Sequence, residues 1–199
     1  MRLLVTIQKM GMIFLLFWVG EAWAGFEEGE EAYLEENFPA ALSEWRPLAE
    51  EGNAEAQNML GYMYRYGQGV TQDFEQARRW YRRAADLGNA RAQNNLGAMY
   101  RQGLGMPQDY HEAFRWFLRA AEQGNGGAQN HVGLMYYKGE GIPKDLVQAF
   151  KWAYLAAQQG LDPSIQALDL VSQEMTTAQI NEATDLARKW NPKGEEVAL

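Results

Sequence analysis

The chain contains no cysteine, which excludes a disulfide framework and every metal site built on thiolates. Histidine occurs only at His111 and His131. They form neither an HExxH motif nor an i, i+4 metal-binding pair, so both are expected to be solvated helix residues, and no metal site or cofactor is predicted. Serine is confined to Ser43, Ser164 and Ser172, and none begins an SxxK motif or sits in GxSxG. Carboxylates are plentiful but scattered. Glu75 with Arg79 has the spacing of an ordinary exposed helix pair and implies no acid–base work. No catalytic residue is predicted.

Long apolar runs are also scarce. Residues 10–20 make one uncharged run, too short for a helix that spans a bilayer. Arg2 and Lys9 precede or open it, and Ala22-Trp23-Ala24 follows as a small-x-small cleavage site. Residues 1–24 therefore read as an export signal, the alternative being an uncleaved N-terminal anchor. With no cysteine at the cleavage point, a lipid-anchored N-terminus is not expected. Loss of Arg2, Lys9 and Glu21 from totals of 18 basic and 26 acidic residues leaves 16 against 25, a net of −9. Such an acidic chain has no general attraction for nucleic acid or anionic lipid. The expected product is an exported protein, periplasmic or secreted, with no stable membrane insertion and a length that suits one domain with one elongated core.

What the chain does have is a repeat. Residues 54–89, 90–125 and 126–161 align without a gap at a period of 36. The aligned columns include Gly61/Gly97/Gly133, Tyr64/Tyr100/Tyr136, Gly67/Gly103/Gly139, Asp73/Asp109/Asp145, Trp80/Trp116/Trp152 and Gly88/Gly124/Gly160. A fixed period in this range marks a stack of units that each bury an apolar face against their neighbours.

Each unit reads as two helices. The first spans residues 54–66 in the first repeat, with Ala56, Leu60, Met63 and Tyr64 on one face. Gly67-x-Gly69 ends it, and Val70, Met106 and Ile142 supply an apolar plug in the turn. Asp73, Asp109 and Asp145 are placed to cap the second helix, which is expected to run to Leu87, Gln123 and Gln159. A mid-helix glycine costs about 1 kcal/mol relative to alanine. Its recurrence at Gly61, Gly97 and Gly133 predicts close approach of a partner helix, whose small face is Ala77, Ala84, Ala113, Ala120, Ala149 and Ala156. The tryptophan column is expected in the core, with Tyr64, Tyr100 and Tyr136.

The ends depart from the pattern, as terminal units should. Residues 25–53 read as an N-terminal capping pair, a short amphipathic helix at 25–36 and a second helix at 38–51, with Trp45 in the Tyr81/Phe117 column. Residues 162–190 read as C-terminal capping helices. The first covers 163–174 with Ile165, Leu168 and Val171 apolar. The second opens on a Thr176/Gln179 capping box, runs through Lys189 and buries Ile180, Ala183 and Leu186. Residues 191–199 are expected to be a disordered tail.

The consensus AxAQNxLGxMYxxGxGxxxDxxxAxxWxxxAAxxGN resembles the Sel-one-like repeat (SLR), a relative of the tetratricopeptide repeat. The resemblance covers residues 54–161. It implies an all-α, right-handed superhelical solenoid of antiparallel helix pairs with the first helices lining the concave side. It also implies a non-enzymatic protein- or peptide-binding scaffold or adaptor of the bacterial envelope. By register the groove columns would be Asn58, Tyr62, Arg65 and Tyr66, then Asn94, Ala98, Arg101 and Gln102, then Asn130, Leu134, Tyr137 and Lys138. The asparagines would form a ladder for an extended peptide backbone, or bridge one helix to the next. Arg65, Arg101 and Lys138 would favour an acidic segment. Two alternatives remain. One is an envelope enzyme or cell-wall binder of the penicillin-interacting, β-lactamase-like type, though that branch is cysteine-rich and this chain is not. The other is an adaptor whose partner wraps the outer face.

Overall fold

The structure, a computed structural model, describes residues 25–192. The export signal expected at residues 1–24 and residues 193–199 of the expected tail lie outside the described residues. Every regular element among the described residues is a helix: α1 over residues 25–34, α2 Phe38–Glu50, α3 Ala54–Tyr66, α4 Phe74–Asp86, α5 Ala90–Gln102, α6 Tyr110–Glu122, α7 Gly126–Lys138, α8 Leu146–Ala157, α9 Asp162–Ser172 and α10 Thr177–Arg188.

The repeat sets these boundaries chemically. Asn53, Asn89 and Asn125 each cap a first-type helix, accepting from the backbone N–H of Ala56, Ala92 and Ala128 at 2.8–2.9 Å. Gly67, Gly103 and Gly139 end those helices in the left-handed conformation, with φ of 70°, 69° and 72°. That conformation costs glycine nothing and a residue with Cβ roughly 1 kcal/mol or more. Asp73, Asp109 and Asp145 accept from the first-turn N–H groups of the second-type helices, as expected. Those helices stop at Asp86, Glu122 and Ala157, one or two residues short of the expected ends. The terminal glycine lies beyond the helix, and the turn has already begun: Gly88 N–H bonds to Ala85 O and Asn89 N–H to Ala84 O.

The chain divides into two compact units at Trp80/Tyr81, within α4, in place of the single elongated core expected from its length. In a stacked array each repeat packs on its neighbours alone, so cores form in series. In the first unit, Ala41, Trp45, Leu48 and Ala49 of α2 meet Ala56, Leu60 and Met63 of α3, with Trp80. Trp45 is wholly buried and its Nε1–H donates to Phe26 O at 3.1 Å. Gly29 lets α1 lie close on that ring: a Cβ there would collide with the Trp45 indole at Nε1.

In the second unit, α5 packs on α6, α7 on α8, and α8 on α9 and α10. Gly97 lies against the ring of Phe117, and Gly133 against the backbone of Ala149 and Ala153. Both are the close approaches predicted for the mid-helix glycines. Trp116 and Trp152 are buried, as is Trp80 in the first unit. Tyr64, Tyr100 and Tyr136 are half-buried against the cores.

The C-terminal helices bury or partly bury most of the expected residues, Leu168 and Val171 on α9 and Ile180 and Ala183 on α10, but not Ile165 or Leu186. On α10 the buried residues are Ala183 and Ala187, with Ile180 partly covered, whereas Leu186 is 38% exposed. On α9, Ser164, Ala167 and Val171 point inward and Ile165 is exposed. Small residues let these helices sit close to their neighbours, which turns the bulkier Ile165 and Leu186 outward. The Thr176/Gln179 capping box forms as expected, and α10 ends at Arg188.

Candidate peptide-binding face

In the first unit, α3 carries Asn58, Tyr62, Arg65 and Tyr66. Asn58 is 4% exposed and engaged within the chain, so it offers little to a ligand. Tyr62 lies in a tyrosine cluster, its ring centroid 4.4 Å from Tyr66 and 6.4 Å from Tyr33. Burial, then the neighbouring Tyr33 and Tyr66, push the Tyr62 phenol pKa up. The Arg65 guanidinium lies 5.2 Å from the centre of the exposed Tyr66 ring. Tyr33 Oη–H donates to Gln68 Oε1 at 2.8 Å and steadies the cluster.

In the second unit the columns on α5 and α7 do come together, but not as an open positive groove. Arg101 Nε donates to Glu140 Oε2 at 3.1 Å, and Lys138 Nζ lies 3.7 Å from Glu140 Oε1. One carboxylate thus serves two of the three cations, Arg65, Arg101 and Lys138, expected to make the groove positive, so at Arg101 and Lys138 that positive charge is offset by Glu140. Tyr137 Oη–H donates to Glu174 Oε1 at 2.6 Å, and Lys144 Nζ to Glu174 Oε2 at 2.8 Å. Those two hydrogen bonds hold the Glu174 carboxyl below its ordinary pKa, and Glu174 in turn raises that of Tyr137.

The asparagine ladder is split in use. Asn130 Oδ1 accepts from Ser164 Oγ at 3.1 Å, bridging α7 to α9. Asn94 Oδ1, although buried, has no hydrogen-bond partner. Ala98 is buried in α5, Leu134 is half-buried on α7, and Gln102 is exposed at the end of α5. His111 is exposed as expected, but His131 is not a solvated residue. Its ring lies 4.4 Å from that of Phe117 and its Nδ1 is buried without a partner. Burial, and secondly the positive charge of Arg101, lower its pKa to about 4.

A row of glutamines, unnoticed at the sequence level, joins one repeat to the next. Gln57, Gln93 and Gln129 are buried and donate through Nε2 to Ala49 O, Ala85 O and Ala121 O. Gln123 and Gln159 then donate to Gln93 Oε1 and Gln129 Oε1 at 2.7 and 2.9 Å. The recurring Gln before the recurring Asn was the available signal. Among the described residues no cluster of His, Asp or Glu is placed to hold a metal ion, and no helix is long and apolar enough to cross a membrane.

Helix pairs recurring every 36 residues, joined by buried amides and stacked through small residues, define an all-α repeat scaffold of the SLR solenoid class. The chain belongs to the Sel1 repeat family, which matches residues 54–89, 90–125 and 127–161. It is similar to a Sel1 repeat protein from Oxalobacter formigenes at 33% identity and a TM-score of 0.69, over 73% of this chain and 60% of that one. It is also similar to a protective antigen of uropathogenic Escherichia coli with an SLR fold, at 28% identity and a TM-score of 0.56, over 85% of this chain and 45% of that one. The chain therefore spans less than two thirds of the length of either. No curated protein matches it. Sel1 repeats are generally non-enzymatic scaffolds for protein–protein interaction.

Proposed function

We propose that the protein is an exported, non-enzymatic adaptor of the bacterial envelope that holds an extended segment of another protein against its first-type helices. The face on α5 and α7 would do this work in the second unit. The observation that carries the proposal is contact along that face from one repeat to the next and from the last repeat to the C-terminal capping helices. Arg101 reaches Glu140, and Tyr137 reaches Glu174. Polar and aromatic groups from two repeats and the C-terminal cap are thereby fixed in one strip, which lowers the entropic cost of ordering them around a ligand. Arg and Tyr are also the residue types that dominate interface energetics.

Because Glu140 is shared by Arg101 and Lys138, the partner need not be strongly acidic along this strip. An acidic side chain would have to compete with Glu140 for Arg101. The test is a photo-crosslinking residue placed at Gln102, exposed on α5, with Glu182, exposed on α10, as control. Irradiated cell envelopes should yield a specific protein adduct from position 102 and none from position 182. Adducts at equal yield from both positions, or from 182 alone, would remove the strip from the account.

A further inference from the structure

The acidity of the protein is not spread along the chain. Residues 25–80 hold 12 acidic residues against 4 basic ones, a net of −8, whereas residues 81–192 hold 11 of each. Within the first unit the excess gathers at α1 and the turn after it. Glu27, Glu28, Glu30, Glu31, Glu35 and Glu36 are all exposed and make no ion pair among the described residues. No lysine or arginine occurs between residues 25 and 45. Glu35 and Glu36 follow the last turn of α1, where the negative end of the helix dipole disfavours further negative charge. Glu36 also takes the left-handed conformation, with φ of 59°, which glycine holds at no cost and a residue with Cβ does not. Local structure therefore gives no reason for glutamate at either position. Beside them lies an exposed apolar and aromatic face. Leu34 is 82% exposed and Tyr66 50%. Tyr33, next to Leu34, joins α1 to the end of α3. Its ring lies 6.4 Å from that of Tyr62, and its hydroxyl donates to Gln68. Tyr62 in turn lies 4.4 Å from Tyr66. Gly69 brings the turn after α3 onto Phe38, whose backbone a Cβ would meet at 3.0 Å. The acidic end of α1 and the exposed end of α3 thus form one surface.

We infer that this surface of α1 and α3 docks a basic segment of a partner protein. Lysine or arginine side chains of the segment meet Glu35 and Glu36, and an aliphatic side chain lies on Leu34 and Tyr66. Charge complementarity decides the occupant. A unit of net −8 attracts a cationic chain and repels nucleic acid and anionic lipid. A second copy is disfavoured, because its first unit carries the same charge and its residues 81–192 are neutral as a whole. A metal ion has no seat, since no cluster of His, Asp or Glu among the described residues is placed to hold one. The apolar contact supplies a hold that exposed ion pairs alone do not, each being worth little in water. Arg65 already makes the contact open to a partner's cation, its guanidinium lying 5.2 Å from the centre of the Tyr66 ring. Its single positive charge is outnumbered by Glu35 and Glu36. None of these residues belongs to the strip on α5 and α7, so the inference goes beyond the adaptor reading and holds whether or not that strip binds.

The probe is a short fluorescein-labelled peptide of lysine and serine carrying two leucines, followed by anisotropy at about 0.15 M salt, where charges are screened beyond about 8 Å. Glu35→Gln combined with Glu36→Gln should weaken binding about fivefold, the loss expected for two exposed ion pairs. Glu50→Gln combined with Glu51→Gln removes the same charge at the far end of α2, about 20 Å along that helix. That variant should change binding less than about twofold. Leu34→Gln should weaken the leucine peptide about threefold. A serine-for-leucine peptide should bind wild type more weakly and be indifferent to Leu34→Gln, and a glutamate-for-lysine peptide should not bind. Melting curves of all three variants should lie at or above wild type. The proposal is overturned if the lysine peptide fails to bind, or if both double variants weaken it equally, as diffuse attraction would. It is also overturned if the serine peptide binds as tightly as the leucine one. A protein that sediments as a dimer, and as a monomer in Leu34→Gln, would overturn it too, since a second copy would then cover the face.

Discussion

Arg101 Nε, on α5, donates to Glu140 Oε2 in the turn after α7, across a separation of 39 residues. Both side chains are about a quarter or less exposed. The bond ties consecutive first-type helices along the face proposed to hold a partner. A double-mutant cycle with Arg101→Ala and Glu140→Ala should return a coupling of about 0.5–1 kcal/mol in urea unfolding, the upper range for incompletely buried pairs. A coupling near zero would mean the pair does not fix the strip.

Gly97 faces Phe117 so closely that a Cβ would stand 2.9 Å from Cδ1 and 3.0 Å from Cε1 and Cγ. Gly97→Ala gains about 1 kcal/mol of helix propensity and loses about 1–3 kcal/mol to overpacking. The expected result is a net loss of stability, read as a lower urea midpoint at unchanged m-value. A midpoint equal to or above wild type would show that α5 and α6 can separate at no cost.

His131 supplies a pH dependence whose sign can be worked out. Its pKa is about 4 in the folded protein against an ordinary 6.5, so the unfolded chain binds the extra proton first. Stability is full above pH 6.5, falls as the pH drops toward 4, and does not change further on this account below 4. The loss over that window is about 3 kcal/mol at most. Urea midpoints measured from pH 7 to 4.5 should fall in wild type, and the slope should flatten in His131→Gln. An unchanged slope in the variant would assign the effect to other groups.

Gln129 is wholly buried, donating to Ala121 O at 3.2 Å and accepting from Gln159 Nε2 at 2.9 Å. Gln129→Leu removes both bonds and leaves groups without their partners, for a loss of about 1–3 kcal/mol. Calorimetric melting should show it. A variant as stable as wild type would mean that the glutamine row contributes nothing to repeat stacking.

Much of this architecture was legible because repetition reports burial. Columns such as Gly97/Gly133 and Trp116/Trp152 are the same in each repeat because each repeat meets the same neighbour. Helix starts were legible for the same reason, through Asp109 and Asp145. The face itself was harder to read. Glu140 and Glu174 occupy positions whose aligned residues do not share their charge: Glu140 aligns with Leu104 and Gln68. A pair such as Arg101 with Glu140 links non-equivalent columns, so periodicity carries no trace of it. His131 was misread because its polarity suggested solvent, while the Phe117 ring and the close α5–α6–α7 packing bury it. On α10, Ile180 and Ala183 face the core as expected, and only Leu186 was misplaced, because apolar size favoured it over Ala187.

The most direct test of the adaptor account follows amide chemical shifts of the isotope-labelled protein while the crosslinked partner, once identified, is titrated in. The account predicts saturable shifts at Asn94, Arg101, Gln102 and Tyr137 on α5 and α7. Saturation of binding with those four amides unmoved would contradict it.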